Sequence, residues 1–163
     1  MKNLRPDIFS ELEACYGQLI AWCDLLEAIA DFLPCHVDER LCDTITIGLV
    51  PLLVTSHQLE ERLVSRGLGL IMHGDELAEA DERRRTSRLL DHDAAQEVVE
   101  TLLSLQVGTC RFSWDAVGYQ LRSFFGSMRR HIRSEREIMS LIKRAIAENG
   151  DRQETGVAAT EAA

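Results

Sequence analysis

The chain has 163 residues, 45% of them hydrophobic and 28% charged, with a formal net charge of −9. That length suits one domain built around a single core, and the acidic balance with no basic stripe excludes the counterion release that drives DNA or RNA binding. The opening MKNLRPDIFSELEACYG places charges where a secretion signal needs its apolar centre, and no run approaches the ~18 apolar residues of a membrane span. A cytoplasmic chain with no nucleic-acid and no membrane partner is the expectation.

Long stretches rich in alanine, leucine and glutamate alternate with short glycine- and proline-bearing breaks, and no run alternates with period two long enough for a strand. The predicted class is all-α. The first helix runs from about Ile8 to Phe32 and stops before Pro34, because proline disfavours helical geometry in the residue before it. Its inward stripe reads Leu12, Tyr16, Leu19, Cys23, Leu26 and Ala30. Asp38 can cap a second helix reaching about Ser65, with Ile47, Val50, Val54, His57, Glu61 and Val64 inward and a kink expected at Pro51. Residues Gly69 to Thr86, which include EADERRR, are expected to form a connection with at most a short surface helix.

The third helix is predicted over Ser87–Gln106, with Leu89, His92, Ala95, Val99 and Leu102 or Leu103 buried, ending at Gly108. Ser113 can cap the fourth helix, which runs to about Ala147 and stops at Asn149-Gly150. Its stripe reads Val117, Leu121, Phe124, Met128, His131, Glu135, Ile138 and Ile142. The predicted organisation is therefore a bundle over residues 1–150 followed by a flexible tail over 151–163, where bulky apolar residues are too few to pack. Cys15, Cys23, Cys35, Cys42 and Cys110 form no C-x-x-C pair, so reduced, mostly buried thiols are expected. Trp22 and Trp114 are both expected in core packing.

Chemistry concentrates in two His-x-x-x-Glu pairs, His57/Glu61 and His131/Glu135. Residues four apart share a helix face, so each pair can present an imidazole and a carboxylate to one point. One such pair is usually an ordinary helix-surface contact, and one inward histidine is usually a hydrogen-bonded core residue. Two pairs in two core stripes, joined by an inward His92, are hard to assign to packing alone. Buried carboxylates cost several kcal/mol each unless compensated, and no Lys or Arg occupies the predicted stripes. A metal ion would compensate them. Mixed imidazole and carboxylate ligation suits iron, manganese or zinc. His36 and His73 fall in predicted loops and are expected to be solvated.

The segments LVPLLVTSHQLEERL, RLLDHDAAQEVVETL and VGYQLRSFFGSMRRHIRSEREIMSLI give the chain a resemblance to the hemerythrin HHE cation-binding family over about residues 10–145. That resemblance implies an up-down-up-down four-helix bundle holding two non-haem irons, with five histidines, two bridging carboxylates and an open position for oxygen. It carries the ligand role to His57, Glu61, His92, His131 and Glu135, with the two glutamates as bridges. Two positions depart from the family. Tyr16 stands where the first-helix histidine is expected, and Ala95 and Gln96 replace acidic residues after His92. Tyr16 is either a phenolate ligand to the cofactor or a core aromatic hydrogen-bonded to a carboxylate or water.

The resulting expectation is a non-haem iron protein with one iron or two, an oxygen-sensing or stress-response role and oxygen, nitric oxide or peroxide as its small ligand. The alternative is a regulatory module with a degenerate or vacant metal site that contacts a protein partner. A peroxidase- or oxidase-like activity is a third reading, without a substrate-pocket signature behind it.

Overall fold

The computed structural model describes the backbone of residues 6–35 and 37–160 and the side chains of residues 7–35 and 37–149. Among these residues there is no strand. The four long helices are α1 (Pro6–Phe32), α2 (Glu39–Glu60), α4 (Gly74–Gln106) and α5 (Trp114–Thr160). A wide π-helical turn, Glu61–Ser65, and a single α turn, α3 (Arg66–Leu68), extend α2. α1 packs against α2 and α5, and α4 packs against the same two, so the four enclose one core. No helix among the described residues is long and apolar enough to cross a membrane.

The buried residues of each helix recur at spacings of three and four, the pattern by which knobs of one helix enter holes of its neighbour. α1 buries Leu12, Tyr16, Leu19, Cys23, Leu26 and Ala30, the stripe its sequence predicts. α5 buries Val117, Leu121, Phe124, Met128, Ile132, Glu135, Met139 and Ile142, with His131 and Ile138 at the edge of that stripe. On the outer side of this pair, Arg129 bridges to Asp24 and Glu27, and Arg136 to Glu13.

The stripes of α2 and α4 are rotated from the predicted ones. α2 buries Cys42, Ile45, Leu49, Leu53, Ser56, Leu59 and Glu60, while Ile47, expected inside, is 76% exposed. The close pairing of α1 and α2 fixes this rotation: Trp22 lies so near Gly48 that a Cβ there would sit 2.5 Å from the indole. Gly48 is therefore a contact point on α1, and Ile47 is carried away from it. α4 buries Asp91, Ala95, Val98, Thr101 and Leu102, while Leu89 is 62% exposed. With Ala95 as the centre and 100° per residue, Leu102, Arg84 and Arg88 all lie within about 20° of the inward line, and Leu89 lies about 120° away.

Two boundaries also differ from expectation. α4 begins at Gly74, whose positive φ of 62° suits glycine, and absorbs the stretch predicted as a connection. EADERRR contains no helix breaker, and its Glu79–Arg83 pair bridges one turn apart on the surface. α5 continues through Asn149-Gly150 to Thr160, since each of those residues costs at most about 1 kcal/mol in a helix and no proline follows. The tail expected over 151–163 has its side chains, and residues 161–163 entirely, outside the described residues. α2 runs unbroken through Pro51, which is exposed, so water can take the carbonyl of Ile47 that proline leaves free.

The cysteines are free, with Cys23 and Cys42 buried and Cys35 exposed. Burial pushes the Cys23 thiol up to about 12, which keeps it protonated and inert. Trp22 packs in the core as predicted, but Trp114 is 49% exposed at the start of α5. His73 is exposed just before α4, and His36 lies outside the described residues.

Candidate metal centre

The cluster grows from one inward residue or pair on each helix. α1 contributes Tyr16, which is fully buried and donates its hydroxyl hydrogen to Glu60 Oε1 at 2.8 Å. α2 contributes His57 and Glu60. α5 contributes His131, whose Nε2 lies 3.0 Å from the same Glu60 oxygen, and Glu135 one turn later. α4 contributes Asp91, with Oδ2 3.1 Å from His131 Nδ1 but not aligned as a hydrogen bond. His131 thus sits between two carboxylates, and its ring centre is 5.9 Å from that of His57.

Two predicted ligands lie elsewhere. Glu61 is exposed, and the buried carboxylate on α2 is Glu60. With Leu53 as the centre of the α2 stripe, Glu60 falls about 20° to one side, His57 about 40° to the other, and Glu61 about 80° out. His92 is half-buried, and its Nδ1 lies 3.7 Å from exposed Asp93. On α4 it is Asp91 that takes the inward place, by the same rotation of one residue. Tyr16, His57, His131 and Glu135 each lie in or against one of the two groups that share His131.

The expectation that no basic residue faces the cluster is overturned. Arg84, in the stretch predicted as a loop, forms a two-pronged bridge to Glu135, with Nη1–Oε1 at 2.6 Å and Nη2–Oε2 at 2.8 Å. Both side chains are largely shut from solvent. The signal for Arg84 was present in the sequence: 84, 88, 91, 95, 98 and 102 keep the alternation of four and three that marks a bundle seam.

The electrostatics follow from burial and pairing. Burial leads in holding His57 well below its ordinary value, at about 4, helped by His131, Arg88 and His92 against the pull of Glu60. It is neutral near pH 7, as a metal ligand must be. Burial works to lower His131 too, but the hydrogen bond and charge of Glu60, with Asp91 and Glu135, outweigh it and leave its pKa raised. Burial would raise Glu60, yet the hydrogen bond and charge of His131, with His57 and Tyr16, hold it below the usual carboxylate range. Asp91 and Glu135 are raised, in both cases chiefly by burial. Burial, reinforced by Glu60 and Glu135, raises the Tyr16 phenol, so it remains a hydrogen-bond donor.

Two groups of side chains have ligand atoms within 4.8 Å of one another: His57, Asp91 and His131, and Glu60, His131 and Glu135. His57 Nε2, Glu60 Oε2 and Asp91 Oδ2 are buried without a hydrogen-bond partner. Buried polar atoms of this kind are costly; an ion held by the first group would supply the partner missing at His57 and Asp91, and one held by the second group that missing at Glu60. The donor set, imidazole with carboxylate, fits iron, manganese or zinc. Comparison with models of protein families, with curated proteins and with solved structures finds no match.

Proposed function

We propose that the chain is a hemerythrin-like non-haem metal protein that holds iron inside the helical bundle and senses or handles oxygen, nitric oxide or peroxide. The observation that carries this reading is the pair of unpartnered buried ligand atoms, His57 Nε2 and Asp91 Oδ2, beside His131. His57, His131 and Asp91 would hold the ion, while Glu60 takes the other nitrogen of His131 and Arg84 keeps Glu135 occupied. That division favours a single metal over a pair, because the second bridging carboxylate already has a cation. An iron there supplies an open coordination position for a small ligand. The chain's own contribution is to fix the imidazole: Glu60 Oε1, itself held by the Tyr16 hydroxyl, takes the Nε2 side of His131 and leaves Nδ1 toward Asp91.

The test is elemental analysis and the visible spectrum of protein expressed with iron. The expected result is a single iron per chain, lost in Asp91→Asn and His131→Ala and retained in Glu61→Gln. Protein that takes up no iron, manganese or zinc would overturn the reading.

The Arg84–Glu135 bridge favours one other reading, a regulatory interaction module whose polar core is closed by its own arginine. On that reading, melting is the same with and without a chelator, and no variant changes the metal content.

A further inference from the structure

The polar cluster opens to the surface through a cleft of about 360 Å³ between α4 and α5. Its floor is Glu60, Asp91, His131 and Glu135, and its walls carry Arg84, Arg88 and Arg130 with the hydroxyls of Ser87, Ser127 and Ser134. Each floor carboxylate lies against a partner other than Arg88 and Arg130, although Glu60 and Asp91 each keep one oxygen without a hydrogen bond. Glu60 holds Tyr16 and His131, Glu135 holds Arg84, and Asp91 lies 3.1 Å from the imidazole of His131. They therefore leave the other guanidiniums unneutralised. Among the described residues no carboxylate pairs with Arg88 or Arg130.

Arg88 is the telling residue. It is half-buried, and its Nη1 is shut away from solvent with no acceptor. A buried guanidinium nitrogen without a partner is an energetic cost that a bound acceptor removes. Nε of Arg84 is in the same condition even though both of its terminal nitrogens hold Glu135. Guanidinium forks match the paired oxygens of carboxylates and phosphates, and serine hydroxyls complete such sites as rotatable donors.

We infer that this cleft is a binding site for a small oxyanion ligand, one presenting a carboxylate or phosphate group to Arg88 and Arg130 above the His131 cluster. The site stands whether or not the cluster holds a metal, because the cations and hydroxyls that form it are the chain's own.

The test uses the full chain after chelator treatment, titrated calorimetrically with inorganic phosphate and, separately, with acetate, each against sodium chloride at matched ionic strength. Saturable binding of either oxyanion is expected, together with a higher melting temperature that chloride does not reproduce. Arg130→Gln and Arg88→Gln should each weaken the binding roughly tenfold, the worth of one charge-assisted hydrogen bond. Arg130 is exposed, so Arg130→Gln gives an answer even if Arg88→Gln fails to fold. Phosphate and acetate acting no differently from chloride would overturn the proposal, as would wild-type affinity in Arg130→Gln. Metal content measured on the same preparations keeps this outcome separate from that of the iron reading.

Discussion

Glu60 and Glu135 are both buried, at 0% and 4% exposure, and both approach His131, yet they sit in opposite kinds of surroundings. Around Glu135 both carboxylate oxygens are held by one guanidinium in a fork geometry. Around Glu60 one oxygen takes two hydrogen bonds and the other takes none, and neither do His57 Nε2 and Asp91 Oδ2 on the far side of His131. The contrast shows how a bundle core can tolerate carboxylates in two ways: closed by a cation from the chain, or left with atoms that an added ion completes. The closed half adds stability on its own terms. The open half has its stability linked to what binds.

The largest effect expected from breaking this contrast is in the closed half. Arg84→Met should cost about 3–5 kcal/mol in urea unfolding, because it strands Glu135 as a buried, unpaired charge. If the two halves are interchangeable, added zinc or iron should recover part of that loss in the variant by taking the guanidinium's place. A cost below 1 kcal/mol would mean that the bridge is screened like a surface pair.

His131→Ala comes next, at about 2–3 kcal/mol, since it removes a hydrogen bond to a charged group and leaves Glu60 and Asp91 facing each other. It should also abolish the difference in melting between metal-loaded and chelated protein, a difference that Glu61→Gln preserves.

A third effect is a pH dependence of two opposite signs. The folded pKa of His57 is lowered from 6.5 to about 4, so the unfolded chain binds more protons in that window and stability falls as pH drops from 6.5 toward 4. The loss for this one side chain is on the order of 2 kcal/mol, allowing for its partial exposure. The folded pKa of His131 is raised, so its contribution is complete below 6.5 and is lost as pH climbs through the raised value. Metal-free protein should therefore be most stable near pH 6.5, with His57→Phe flattening the acid limb and His131→Phe the alkaline limb. Denaturant melts across the pH range measure both. Metal uptake should release a proton where the pH lies below the raised pKa of His131 and none above it, because His131 must be neutral to coordinate.

The smallest effect is expected at Tyr16. Tyr16→Phe keeps the ring and removes one hydrogen bond to Glu60, so about 1–2 kcal/mol is lost and the fold is intact. Since the phenol stays protonated, iron-loaded wild type and Tyr16→Phe should show the same visible bands. A band lost in the variant would instead make Tyr16 a phenolate ligand.

The helical class, the four long helices and the inward stripes of α1 and α5 were legible in the sequence because bulky apolar residues there occupy one track each. α2 carries two. Ile47, Val50, Val54, His57, Glu61 and Val64 are spaced by threes and fours, as are Ile45, Leu49, Leu53, Ser56, Glu60 and Leu63, and such spacing does not by itself choose between them. The choice fell to the close approach of Trp22 to Gly48, a contact between two helices. That rotation exchanged Glu61 for Glu60, and on α4 the corresponding rotation exchanged His92 for Asp91.

The sequence by itself determined that imidazole and carboxylate groups would meet inside a helical bundle, because His57, His131 and Glu135 lie on or beside stripes that no rotation of about 40° turns to solvent. Only the tertiary structure decided which carboxylates face them and that Arg84 comes with them. Those outcomes depend on the phase of one helix against its neighbours, and phase is set by side chains distant in sequence packing into each other's gaps.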